Sequence, residues 1–217
     1  MLDITHFFNL DTFQHKAMFN DERIKYVWDT LTIIEDYLND ILKPEILGEV
    51  HPHADLIGNN IYIAQGAVVE AGAYIQGPTY LGPKTVVRHG AYIRGKVITG
   101  EGCIIGHATE VKNSIFLNKA KAAHFAYVGD SILGTNVNLG AGTKLANFKI
   151  RGTEVVVNIN GNIYPSGLRK FGAILGDNVS IGCNTVCNPG TLIAPNSIIC
   201  PLVSVRGYYP KRSLIKS

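Results

Sequence analysis

The chain lacks most of the features that would assign it quickly. Its four cysteines, Cys103, Cys183, Cys187 and Cys200, form no C-x-x-C pair, which speaks against a disulfide framework or structural zinc and for the reduced thiols of a cytosolic protein. No stretch of about 18 apolar residues occurs, so no membrane span is expected. The opening MLDITHFFNLDTFQHK has no basic region leading into an apolar run and a small-residue cleavage site. It does not read as a signal peptide, and cytoplasmic localisation is expected. Charge is sparse: a net charge of +3 is too small to imply nucleic-acid binding, although a few clustered cations can still hold a phosphorylated small molecule. Hydrophobic residues are abundant, at 46% of 217 residues, enough for one good core or one elongated domain.

Residues 1 to about 19 show apolar anchors, Phe7, Phe8, Leu10 and Phe13, without a clear period. From Asn20 the segment NDER offers a cap and early acids. Ile24, Val27, Trp28, Leu31, Ile34, Leu38, Ile41 and Leu42 then recur at helical spacing until Lys43-Pro44. This predicts one amphipathic helix over about 20–43. Its apolar stripe must be buried against the open end or the side of whatever follows.

After Pro44 the period becomes six. Ile57, Ile63, Val69, Ile75, Leu81, Val87, Ile93, Thr99, Ile105 and Val111 open successive hexads. One five-residue step carries the ladder to Phe116, Ala122 and Val128, and a second carries it to Leu133, Leu139 and Leu145. The register is lost over about 146–169 and resumes at Leu175, Ile181, Cys187, Ile193, Ile199 and Val205. Hexapeptides are the signature of a parallel β-helix, with three faces to a coil of about 18 residues. A sandwich or barrel would instead show hairpins and period-two alternation. The domain plan is an N-terminal segment (1–45), a β-helix (46–206) with an irregular insertion (146–169), and a basic tail (207–217).

Because hexads three apart share a face, the repeat places side chains. His89, His107 and His124 fall in one column, Arg94 and Lys112 one coil apart on the next face, and Glu110 and Tyr127 at the corner between. Arg94 and Lys112 together suit a phosphate, by fork geometry and point charge respectively. His124 suits a general base near neutral pH, oriented by Glu110 or Tyr127. A histidine column also suggests zinc, as in the gamma-class carbonic anhydrases. Successive coils, however, put the three in line rather than around a tetrahedron, and the H-x-x-x-x-H pair is missing, so no metal is expected.

The [LIV]-G-x-x-x-x pattern resembles the hexapeptide-repeat acyltransferases, which implies a mainly β, left-handed parallel β-helix and assembly as a homotrimer. More specifically, EVKNSIFLNKAKAAHFAYVGDSILGTNVNLGAGT, with its K-A-x-H-x-x-Y-x-G-D and N-x-G-A-G-T elements, resembles the acetyltransferase domain of the bifunctional glucosamine-1-phosphate acetyltransferase/N-acetylglucosamine-1-phosphate uridyltransferase family (GlmU). The resemblance covers roughly 46–206. It implies an acetyl-CoA-dependent N-acetyltransferase converting glucosamine 1-phosphate to N-acetylglucosamine 1-phosphate. Arg94, Lys112 and Lys170 then match phosphate and sugar contacts, Tyr127 and Asn138 substrate positions, and His124 the catalytic base. Ala141, Asn147, Phe148 and Cys183 fall at acetyl-CoA positions, and the Ala141 N–H is a candidate oxyanion donor.

Where the family carries a nucleotidyltransferase domain, about 45 mostly helical residues stand here, so uridyl transfer is not expected. Cys183 replaces a serine and Phe148 a tyrosine, and the insertion bears on which amino sugar fits. Arg206, Lys211 and Arg212 either meet the phosphates of CoA or face solvent. The alternatives are an acyltransferase for another acceptor, such as galactosamine 1-phosphate, a nucleotide-linked amino sugar or a sugar hydroxyl, or an inactive β-helix scaffold.

Overall fold

A computed structural model describes residues 2–216. The hexads form a parallel β-helix of three sheets with nine, nine and eight strands, every pairing between coils being parallel. In chain order each coil contributes one strand to a first face (Val97–Thr99), a second face (Ile104–His107) and a third face (Glu110–Lys112). The ladder residues point inward and stack: Ile93 pairs with Val111 and Val111 with Val128, all fully buried. Each coil thus covers the strand edge of the one beneath, leaving exposed edges only at the two ends. At the first coil the inward slot is taken by Leu56, which pairs with Ile75, while the expected Ile57 is exposed. The corner after it carries one residue more than a regular hexad allows.

The first face differs from the other two. Its outward residues Tyr80, Ile98, Ile115, Ile132, Ile174 and Leu192 are buried as well, because the N-terminal segment lies across them. That segment begins with α1 (Ile4–Phe7), continues through a 3₁₀ turn (Lys16–Asn20) and a second one (Val27–Asp29), and ends in α2 (Thr30–Ile41). The helix is therefore shorter than the expected 20–43. The Asp21 carboxylate folds back on Arg23 at 2.9 Å, making a turn of NDER, and the Asp29 carboxylate instead accepts from the Lys25 and Tyr26 amides at 2.9 and 2.8 Å. The Asp29 carboxylate makes no capping bond to α2; it closes the preceding 3₁₀ turn, and the regular helix starts only after that turn. The stripe Leu31, Ile33, Ile34 and Leu38 is buried against the side of the β-helix, not its open end.

Two further expectations are corrected. The 146–169 stretch is not irregular: Val156–Ile159 and Asn162–Pro165 form an antiparallel hairpin with left-handed Asn160 and Gly161 at its turn. Its buried Val155, Val157 and Ile159 extend the cover of the first face. The VVVNINGNIY segment carries the signal, alternating apolar residues around Asn-Gly. Residues 207–216 of the expected 207–217 tail are built into the β-helix, since Tyr208–Tyr209 pairs with Leu192–Ile193 and Leu214–Ile215 with Ile198–Ile199, adding part of a final coil; Ser217 lies outside the described residues.

Candidate active site

The outer surface of the third face has two outward positions per strand. The first position holds Tyr92, Glu110 and Tyr127 in register, and the third holds Arg94, Lys112 and Gly129. The second-to-third corner, just before the first position, carries the histidine column. The His89 and His107 rings stack at 5.6 Å and 11°, and His107 pairs in register with His124. The Nδ1 atoms of His89 and His107 hydrogen-bond the Ala71 and His89 carbonyls at 2.7 and 2.9 Å. His124 is exposed, and its imidazole makes no hydrogen bond among the described residues. Glu110 and Tyr127 do not orient it, contrary to expectation. Glu110 instead accepts from the Arg94 guanidinium at 2.8 Å, and the Tyr127 hydroxyl donates to Asn147 Oδ1 at 3.3 Å. The bond to Glu110 raises the Arg94 pKa further. Burial, and then the charges of Glu110 and Asp130, raise that of Tyr127, so the phenol stays neutral.

The opposite, third-to-first corner holds the cations. Arg94, Lys112 and Lys170 line one cleft of about 370 Å³, together with Lys96 and Arg169, which the sequence reading missed. Its far wall is α2, through Leu31, Thr32 and Glu35. Glu35 pairs with Lys96 at 2.5 Å and Asp130 with Lys112 at 3.2 Å. Among the described residues Arg169 and Lys170 have no carboxylate partner, so the cleft keeps an excess of positive charge suited to a dianion.

Asp130, also missed, is the hub of this corner. It is buried and accepts from Lys112 Nζ, Asn113 Nδ2 (2.9 Å) and Asn147 Nδ2. The two five-residue steps of the ladder are the short corners that contain Asn113 and Asp130, which adopt left-handed conformations with φ 44° and 45°. They place Lys112, Asn113 and Asp130 at this corner. Gly129 is required here, because a Cβ would lie 2.6 Å from the Asn147 amide nitrogen and 2.8 Å from the Tyr127 hydroxyl. The sequence did hold a signal: Gly129-Asp130 closes the Y-x-G-D element. An Asp130→Asn variant keeps a residue that tolerates the left-handed turn but loses the charge facing Lys112 and sets a donor against donors. It should cost about 1–3 kcal/mol of stability, measured by urea denaturation.

The cofactor candidates separate into two groups. Ala141 and Cys183 stack on the corner of His124: the Gly142 N–H donates to the His124 carbonyl at 3.0 Å and the Asn184 N–H to the Ala141 carbonyl at 2.8 Å. Cys183 is an exposed free thiol, whereas burial pushes the Cys103 and Cys187 thiols up to about 12. Asn147 and Phe148 lie at the other corner. Asn147 is buried with its amide engaged by Asp130 and Tyr127, and Phe148 is exposed with the Arg169 guanidinium 5.5 Å from its ring centre. Asn138 sits on the second face, in register with Lys121 and Ser180, and is not brought to the cleft.

Stacked hexapeptide coils define the chain as a hexapeptide-repeat parallel β-helix. A family model described as the GMPPB C-terminal domain matches residues 75–167, a span holding Arg94, Lys112, His124, Tyr127 and Asn138. Several curated relatives bear the GlmU name. "Bifunctional protein GlmU" of Methanococcus maripaludis strain C7 is 43% identical over 176 residues, covering 81% of this chain and 42% of that protein. "Bifunctional sugar-1-phosphate nucleotidylyltransferase/acetyltransferase" of Sulfurisphaera tokodaii is 32% identical over 174 residues, covering 80% of this chain and 43% of that one. The chain therefore spans about two fifths of the length of these curated relatives. A solved UDP-N-acetylglucosamine acyltransferase of Francisella novicida aligns with 71% of this chain and 59% of that one at 14% identity and a TM-score of 0.47, too loosely to bear on function. No helix among the described residues is long and apolar enough to cross a membrane.

Proposed function

We propose that the chain is an acetyl-CoA-dependent N-acetyltransferase acting on an amino-sugar 1-phosphate, with glucosamine 1-phosphate as the acceptor. The observation that carries this reading is the convergence of Arg94, Lys112 and Lys170 on one cleft, across a single strand from the corner that presents His124. Outward residues at the two ends of such a strand are about 7 Å apart. A phosphate held in the cleft therefore lays its sugar over Tyr127 and brings an amine to the histidine edge. His124, exposed and unpaired, takes the proton as the amine attacks the thioester carbonyl. The carbon–sulfur bond then breaks, and the thiolate of CoA leaves and takes up a proton. The Ala141 N–H makes no hydrogen bond among the described residues and lies on the same corner, so it is placed to hold the oxyanion.

Ala141 and Cys183 flank the acetyl group in this reading, while Asn147 positions Tyr127 and Asp130 rather than touching cofactor. Asn138 reaches substrate from a second copy in the homotrimer implied by the resemblance. Galactosamine 1-phosphate and nucleotide-linked amino sugars are the competing acceptors.

The cleft is tested by Lys112→Ala. The KM for glucosamine 1-phosphate should rise about tenfold or more, the scale of one charge-assisted hydrogen bond, while unphosphorylated glucosamine is used equally poorly by both proteins. An unchanged KM would remove the phosphate from this cleft.

A further inference from the structure

The cation cleft is open on one side and closed on the other. Toward the third face it runs out over the strands of Glu110 and Tyr127 to the histidine edge. Toward the first face it ends on α2, which presents Leu31, Thr32 and Glu35. This wall comes from the N-terminal segment and not from the hexads. Leu31, Ile33, Ile34 and Leu38 hold α2 from behind, buried on the outward residues of the first face, while Thr32 and Glu35 stay exposed beside the cleft. Two contacts tie the wall to the floor. The Glu35 carboxylate meets Lys96 Nζ at 2.5 Å, and Asn113 Nδ2 donates to the Leu31 carbonyl at 3.4 Å as well as to Asp130 at 2.9 Å. Lys96 and Asn113 stand at successive third-to-first corners, so α2 is fixed across the end of the cleft. Charge is matched as well as shape. Five cations, Arg94, Lys96, Lys112, Arg169 and Lys170, meet three carboxylates, Glu35, Glu110 and Asp130, which leaves two positive charges. A terminal phosphate monoester carries about −2 at neutral pH on a single phosphorus.

We infer that α2 decides which acceptors the site takes: Thr32 and Glu35 close the cleft behind a terminal phosphate, so that an amino-sugar phosphate monoester is admitted and an amino sugar carried on a nucleoside diphosphate is excluded. The inference rests on the acetyltransferase reading and narrows its acceptor. A monoester has one organic substituent. With its phosphate in the cleft, that substituent leaves through the open side and lays the sugar over Tyr127. In a nucleoside-diphosphate sugar the same phosphorus carries a second substituent, directed away from the sugar, and there it meets α2. The group facing it is a carboxylate. Glu35 repels the second phosphate and at the same time occupies Lys96, the cation that would otherwise receive it. A clash combined with like charge is the means by which a site rejects a ligand that shares the headgroup of the right one. The segment before the repeats thereby gains a role beyond covering the first face.

The experiment compares wild type with Thr32→Ala/Glu35→Ala, two exposed positions at which alanine favours the helix; the melting temperature checks that α2 stays docked. In wild type, kcat/KM for glucosamine 1-phosphate should exceed that for UDP-glucosamine by about a hundredfold or more. In the variant this ratio should fall about tenfold or more, through a gain with UDP-glucosamine, because the carboxylate is gone and Lys96 is free. Comparable or better use of UDP-glucosamine by wild type, or an unchanged ratio in the variant, overturns the inference. If wild type acetylates neither acceptor, the acetyltransferase reading fails instead. The wall is then decided by calorimetry with glucose 1-phosphate and UDP-glucose, which need no acetyl transfer. Wild type should bind glucose 1-phosphate about tenfold or more tighter and the variant should lose that preference. Equal binding of the two by wild type, or an undiminished preference in the variant, overturns it.

Discussion

His124→Ala should lower the rate of acetyl transfer at least a hundredfold and leave the fold unchanged. The imidazole is exposed and its ring makes no hydrogen bond among the described residues, so its removal breaks nothing that holds the coil. The backbone of this position, which accepts from the Gly142 N–H, is unaffected by the substitution. A positioned general base contributes about 10²–10⁴-fold, and a hundredfold loss corresponds to about 2.7 kcal/mol in the transition state. Circular dichroism and the melting temperature check the fold, and steady-state kinetics check the rate. Near-normal turnover would remove His124 from the base role. The side chain has no orienting partner, so it is also free to turn. The Tyr127 and Glu110 groups once considered for that role are committed to Asn147 and Arg94.

Trp28→Ala should have the larger effect on stability. Trp28 is fully buried, stacks on Tyr26 at 4.7 Å and sits 6.0 Å from Phe171. Tyr26 in turn meets Tyr164 of the hairpin edge to face at 6.2 Å. The indole is therefore the joint between the N-terminal segment, the hairpin and the strand that re-enters the β-helix. Deleting a buried tryptophan costs about 3–5 kcal/mol. Because α2 and residues 167–170 are opposite walls of the cation cleft, the loss should also raise the KM for the sugar phosphate. Denaturant unfolding and kinetics on the same preparation measure both. A loss below about 1 kcal/mol would mean that the segment is held mainly by its polar contacts, such as Asn9 N–H to Asp177 at 2.7 Å and Asn118 Nδ2 to the Thr12 carbonyl at 3.1 Å.

The coil stack was legible because its cause is periodic. An inward aliphatic residue every six positions needs no tertiary information, and counting hexads placed Arg94 and Lys112 on the face that follows the histidine column, with Glu110 and Tyr127 between, although the cations take the far edge of that face from His124. The same ladder held an unused signal for which face is covered: outward positions on the first face are Tyr80, Ile98, Ile115, Ile132 and Ile174, whereas the third face has Arg94, Glu110 and Lys112. What could not be read were side-chain partners. The role of Asp130 depends on a corner shortened by one residue, and that of Asn147 on the path by which the 146–169 insertion leaves the coil. Lys96 and Arg169 looked like ordinary surface cations until α2 and the hairpin closed around them. Asn138 and Cys183 entered through resemblance alone, and their register positions separate them from the cation cleft.

The central claim is that an amino-sugar 1-phosphate is acetylated across the third face. The most direct measurement is thiol release from acetyl-CoA in the presence of glucosamine 1-phosphate, galactosamine 1-phosphate, a nucleotide-linked amino sugar and glucosamine, with the product verified by mass spectrometry. Release with a sugar 1-phosphate, strongest for glucosamine 1-phosphate and absent in His124→Ala, is the predicted result. Release with none of the four, or only with the nucleotide-linked sugar, would contradict it.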